Sequence, residues 1–223
     1  MKIEKYKKYH QEIFKTQLED GLHVSLAPKK GFNSIYASLT VKAGAADQEI
    51  LSKNGERIFF PAGTAHFVEH QMFEKKDYDP DLIFNDLGAY SNAFTTQSQT
   101  VYYFESSDPS FSSFEKSLEL LLKMVQEEYF DKKAIEKERQ IITQELSMYR
   151  DSPDWNLSNG LLKNLYPEQP LAFDIGGSAS SIGSIDSDTL SAFHDYFYQP
   201  ENLYLKITGG FDANEALSLT DKI

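Results

Sequence analysis

The chain has 223 residues, 40% of them hydrophobic and 25% charged, with 34 acidic side chains against 22 basic ones and a formal net charge of -12. This balance excludes nucleic acid as the main partner, because a phosphate backbone calls for a basic surface. No apolar run reaches the roughly 18 residues needed to span a bilayer, so no membrane partner is expected.

The absence of cysteine excludes disulfides and thiolate metal sites, leaving His and carboxylate as the ligands for any metal. The opening Met1-Lys-Ile-Glu-Lys-Tyr-Lys-Lys is charged and is not followed by an apolar run, unlike a secretory signal. With the lack of cysteine, this sets a cytoplasmic location as the expectation.

In chain order, Ile13 to Pro28 reads as a hairpin, two alternating segments flanking the turn signal Asp20-Gly21. Ser34 to Ala43 alternates at Ile35, Ala37, Leu39 and Val41 and predicts a strand, whereas 44–61 reads as irregular. Pro61-Ala-Gly63 punctuates the entry to a helix over Thr64 to Phe73. Asp79 followed by Pro80 supplies a cap and first-turn proline for a short helix ending at Gly88.

Ser91 to Thr95 and Thr100 to Ser106 predict two strands. Asp108-Pro109 opens a helix through Gln126, with Leu118, Leu121, Leu122 and Val125 on one face. Asp131 caps another helix running to Arg150, and Asp154 to Leu165 reads as helical. Gly176 to Ser184 reads as a surface linker, Asp186 caps a helix through Tyr198, and Asn202 to Thr208 closes as a strand. Strands and helices mix without a βαβ repeat and the hairpins imply antiparallel pairing, so the fold class is α+β, an antiparallel sheet packed against helices.

The segment that carries chemistry is Gly63-Thr-Ala-His66-Phe-Val-Glu69-His70. Residues four apart lie one turn apart on one helix face, so His66 and His70 can aim both imidazoles at one ion. Glu69 projects near the same edge without having to bind it, which is the H-x-x-E-H order. A hydrolytic metal site needs a third protein ligand, and the candidate is Glu145 on the later helix. Glu138 lies two turns before Glu145 on the same face, placed to accept the remaining N–H of a ligand histidine. With zinc at such a site, Glu69 is the candidate general base for attack of water on a peptide carbonyl. Taken singly each residue has an ordinary reading: an incidental His-x3-His pair, or a solvated helix carboxylate. The combination is what points to a metal.

These segments resemble the pitrilysin/insulinase-type zinc metallopeptidases, the inverzincins, which include the mitochondrial processing peptidases. Gly63 to His70 resembles the family's metal helix, and Glu136-Lys-Glu138-Arg-Gln-Ile-Ile-Thr-Gln-Glu145 resembles the segment bearing its third ligand. Asn92-Ala-Phe-Thr95, with Thr100 and Tyr102, resembles its substrate-edge strand, while Tyr149 to Trp155 and Asn164-Leu-Tyr166 look closest to a bacterial cytosolic branch whose members often occur as paired gene products.

The resemblance implies a LuxS/processing-peptidase-like unit and Zn2+ as cofactor. Asn92, Ala93 and Phe94 would bind an unfolded peptide as an added strand. Relatives carry two or four such units closing like a clamshell. Because the sequence stops at Asp221-Lys-Ile223 just after a helix begins, residues 1–223 are expected to be a single N-terminal, zinc-binding domain truncated from a longer two-domain chain. Its partners would be a C-terminal half and a homologous partner subunit, and the fragment alone is expected to hydrolyse peptides weakly or not at all. The alternative function is a non-catalytic peptide-binding or scaffolding subunit.

Overall fold

The computed structural model describes residues 1–52, 54–108 and 110–220; Pro109, expected at the opening of a helix, and the terminal Asp221-Lys-Ile223 lie outside them. Seven strands form one sheet. They are β1 (Lys2–Tyr6), β2 (Gln11–Gln17), β3 (His23–Pro28), β4 (Ile35–Val41), β7 (Ala89–Thr95), β8 (Thr100–Ser106) and β9 (Leu203–Gly209), while β5 (Glu49–Leu51) and β6 (Arg57–Phe59) make a separate hairpin. The sheet order is β1-β2-β3-β9-β4-β8-β7, so β7 is an edge. Every neighbouring pair is antiparallel except β3 with β9, which run parallel from His23↔Tyr204 to Pro28↔Gly209.

Period-two alternation puts one face of the sheet inside. Leu39 lies between Tyr102 and Leu205, Ala37 between Phe104 and Ile207, and all are buried. Against that face pack α1 (Thr64–Gln71) and α3 (Phe111–Gln126), with α7 (Ser187–Phe197) packed on α1, and together they contribute Phe67, Val68, Leu118, Leu121, Val125, Leu190 and Phe193 to the core. Burying each such side chain is worth about 1.5–3 kcal/mol. The buried Tyr102 and Tyr198 satisfy each other's hydroxyls at 2.8 Å across the sheet–helix seam.

The remaining helices are α2 (Pro80–Asp86), α4 (Lys132–Arg150), α5 (Pro153–Leu165), α6 (Ala179–Gly183) and α8 (Ala213–Thr220). The expected caps are in place: Asp79 accepts from Leu82 N, Asp131 from Lys133 N and Ala134 N, and Asp186 from Thr189 N. α3 starts later than expected, at Phe111, because the Ser110 hydroxyl accepts from Ser113 N.

The segment 176–184 runs over the surface, as expected, but is more than a linker. It contains α6, closed by a Ser178–Ser181 capping box, and buries Ile182 fully. Arg139 on α4 donates to the carbonyls of Ile182 and Ile185, pinning the segment to the helix that bears Glu138 and Glu145.

Candidate metal centre

α1 begins where the chain must turn sharply. Gly63 sits at φ +93°, a region glycine enters without steric cost, and a Cβ there would lie 2.6 Å from the carbonyl of Gly176. Phe67 and Val68 point into the core with no exposure. They orient the helix so that His66, Glu69 and His70 border a cavity of about 790 Å3. α4 docks beside it through Ile135, Ile142 and Leu146, which bury one face and carry Glu138 and Glu145 towards α1.

The three candidate ligands converge. His66 Nε2 and His70 Nε2 are 3.3 Å apart, and Glu145 Oε2 lies 3.9 Å from the first and 3.6 Å from the second. A tetrahedral ion with ligand distances of about 2.0–2.1 Å requires its donors to stand roughly 3.3 Å from one another. Two nitrogen lone pairs and a carboxylate oxygen facing one point at these separations fit a divalent cation. Among the described residues, His66, His70 and Glu145 are the group of this kind.

Glu138, two turns before Glu145 on α4, faces His70. Buried at 6% exposure, its Oε1 accepts from His70 Nδ1 at 2.7 Å, which leaves Nε2 as the lone-pair nitrogen facing the cluster. Burial works against a charged His70, but the Glu138 hydrogen bond and the charges of Glu69, Glu138 and Glu145 outweigh it and raise its pKa. His66 has no such carboxylate. Burial, reinforced by the charge of His70, lowers its pKa to about 3 and keeps the ring neutral, as a ligand must be. Its Nδ1 is buried with no partner and faces Gly176, where an added Cβ would stand 3.6 Å away.

Glu69 stands beside the candidate ligands. It is buried, which raises its carboxyl above the usual range, against the opposing pull of the Thr95 hydrogen bond and of His70. Thr95 Oγ1 donates to Glu69 Oε2 at 2.5 Å. Thr95 is the last residue of β7, and Asn92, Ala93 and Phe94 precede it along the same cavity wall. Ala93 turns towards the core, whereas Asn92 and Phe94 are exposed. The Ala93 N–H is met by the carboxamide of Asn92 at 2.8 Å. Tyr149, Trp155, Asn159 and Asp174 also line the cavity, and no spacing in the sequence connects them to α1. Only the fold brings Asp174, in the segment after α5, across to the α1 face.

Fold and cluster together define an α+β protein in which two histidines of a His-x-x-Glu-His helix and one glutamate of a second helix form a group that could hold a cation. Residues 60–178 match the insulinase family, Peptidase family M16, and the chain belongs to that family. It is 41% identical over 215 residues to the uncharacterized zinc protease YmfH of Bacillus subtilis, covering 96% of this chain and 49% of the relative. It is 29% identical over 209 residues to the mitochondrial-processing peptidase subunit beta of Mus musculus, covering 92% of this chain and 40% of that protein.

Among solved structures, an M16-like peptidase from Alicyclobacillus acidocaldarius superposes with a TM-score of 0.89 at 34% identity, over 95% of this chain and 49% of that one. Pitrilysin, at 20% identity and a TM-score of 0.82, shares the fold. The chain spans about half the length of the curated relatives it matches, or less.

Proposed function

We propose that this chain is the metal-bearing half of a zinc-dependent endopeptidase acting on peptides or small unfolded proteins. The observation that carries the reading is the convergence of His66 Nε2, His70 Nε2 and Glu145 Oε2 within 4.8 Å of one another, with Glu69 buried alongside. The naming of relatives as zinc proteases supports zinc as the ion. His66, His70 and Glu145 would hold it. Bound there, zinc supplies Lewis acidity, polarising a peptide carbonyl and acidifying water.

The chain's own residues do the rest. Glu69 takes a proton from the attacking water and returns it to the leaving amine. Glu138 holds His70 in the tautomer that presents Nε2. An extended peptide adds to the open edge of β7, replacing the Asn92 carboxamide at the Ala93 N–H, and main-chain pairing of this kind tolerates many sequences. A second half, as in the longer relatives, would close the cavity over the substrate. Alignment of that kind accounts for about 7–11 kcal/mol of a barrier, so residues 1–223 alone should turn over peptide weakly or not at all.

The test is metal analysis and fluorogenic peptide turnover on the full-length protein, with and without Glu69→Gln. One zinc per chain and a fall in turnover of about 100-fold or more in the variant, its zinc retained, is the expected result. Equal turnover by the two proteins would remove Glu69 from the mechanism. Tight peptide binding without stoichiometric metal would instead favour a non-catalytic binding subunit.

A further inference from the structure

We infer that Thr95 is a positioning residue for Glu69, tying the base to the strand edge along which the substrate would lie; this rests on the function proposed above. Three observations combine. Thr95 Oγ1 donates to Glu69 Oε2 at 2.5 Å, a short hydroxyl–carboxylate bond. Glu69 is buried, so an oxygen that lost this donor would have little water to replace it. Thr95 is also the terminal residue of β7, so its hydroxyl sits at the junction between the open edge and α1.

Thr95 is itself held from behind. It pairs with Thr100 across the hairpin, and Thr100 Oγ1 donates to the carbonyl of Ala43. The connecting turn is braced by Ala45 N and Ala46 N, which donate to the carbonyls of Thr96 and Gln97. Gly44 lets these backbones meet, since a Cβ at that position would lie 2.4 Å from the Thr96 carbonyl. The hydroxyl therefore belongs to a rigid support and not to a mobile tip. By occupying Oε2 it leaves the other oxygen, Oε1, as the one free to take a proton, and it fixes the side-chain torsions that aim it. A carboxylate on a freely rotating side chain would present either oxygen, in many orientations. A base must be held within a fraction of an ångström of its working position, and a shift of 1 Å costs on the order of 100-fold in rate.

The experiment compares Thr95→Val, which keeps the shape and removes the hydroxyl, with Thr95→Ser, which keeps the hydroxyl, in the full-length protein. Turnover, zinc content and a crystal structure are measured for each. Thr95→Val is expected to lower kcat between about tenfold and 100-fold with KM and zinc content unchanged, and Thr95→Ser to restore it to within about threefold. In a Glu69→Gln background the Thr95→Val change should have little further effect, because the two residues act as a unit.

A kcat unaffected by Thr95→Val would overturn the inference. So would a loss that Ser does not restore, or one that persists in full in the Glu69→Gln background. A wild-type protein without peptidase activity would sink the proposed function instead. The Thr95 inference would then be decided by whether the Glu69 side chain leaves its position in the Val structure and keeps it in the Ser structure.

Discussion

Replacing Glu138 by Gln removes a charge while keeping an acceptor for His70 Nδ1–H. The native bond is 2.7 Å long and its carboxylate is 8% exposed as a side chain, so the interaction is charge-assisted and little screened by water. Hydrogen bonds to charged groups contribute about 1.5–3 kcal/mol and neutral ones about 0.5–1.5 kcal/mol, a difference of about 1–1.5 kcal/mol. At about 1.4 kcal/mol per decade, zinc affinity should fall about tenfold, the lower end of the range for removal of such orienting partners.

The assay is competition of the full-length protein with a chelator of known affinity, with far-ultraviolet dichroism to show that the variant is folded. A second readout uses the metal-free protein. His70 has its pKa raised in the fold, so its stabilisation is fully present below about pH 6.5 and is lost as pH rises through the raised value. Glu138→Gln should flatten that dependence. A folded variant with wild-type zinc affinity and an unaltered pH dependence would refute the orienting role.

Two further predictions concern the frame around the site. Gly63→Ala forces a side chain into φ +93° and a Cβ to 2.6 Å from the Gly176 carbonyl, so it should destabilise by more than about 1 kcal/mol, read as a lower urea midpoint. Arg139→Met removes the donors to the Ile182 and Ile185 carbonyls and the guanidinium that lies over the Phe67 ring, while keeping an unbranched side chain. A loss of about 1–3 kcal/mol is expected, together with faster amide exchange in residues 176–185. Unchanged exchange there would contradict the pinning role.

Much of this architecture was legible in the sequence, and the reasons are specific. The alternation at Ile35, Ala37, Leu39 and Val41 reports a strand with one face in the core, and all four are buried. Asp79, Asp131 and Asp186 announce helix starts because their side chains accept the first free N–H groups. The candidate site was legible as spacing: an offset of four between the histidines and of seven between the glutamates fixes faces of helices. How close the two helices come depends on the packing of Ile135, Ile142 and Leu146, which spacing does not contain.

Other features left little local signal. β1 and β6 bury no residue, so no hydrophobic period marks them. The parallel β3–β9 pair joins segments about 180 residues apart. Residues 176–184 look like a linker because Gly and Ser dominate. Those same glycines permit close backbone approach, since a Cβ on Gly177 would lie 2.3 Å from the Ala62 carbonyl. Thr95 was visible as part of a strand, but its bond to Glu69 spans 26 residues and appears only once β7 lies beside α1.

The most direct measurement is anomalous scattering at the zinc edge from crystals of the full-length protein. A single strong peak is expected about 2.0–2.2 Å from His66 Nε2, His70 Nε2 and a carboxylate oxygen of Glu145. A zinc-saturated crystal with no peak between those three groups, or with a metal there from which Glu145 stands apart, would contradict it.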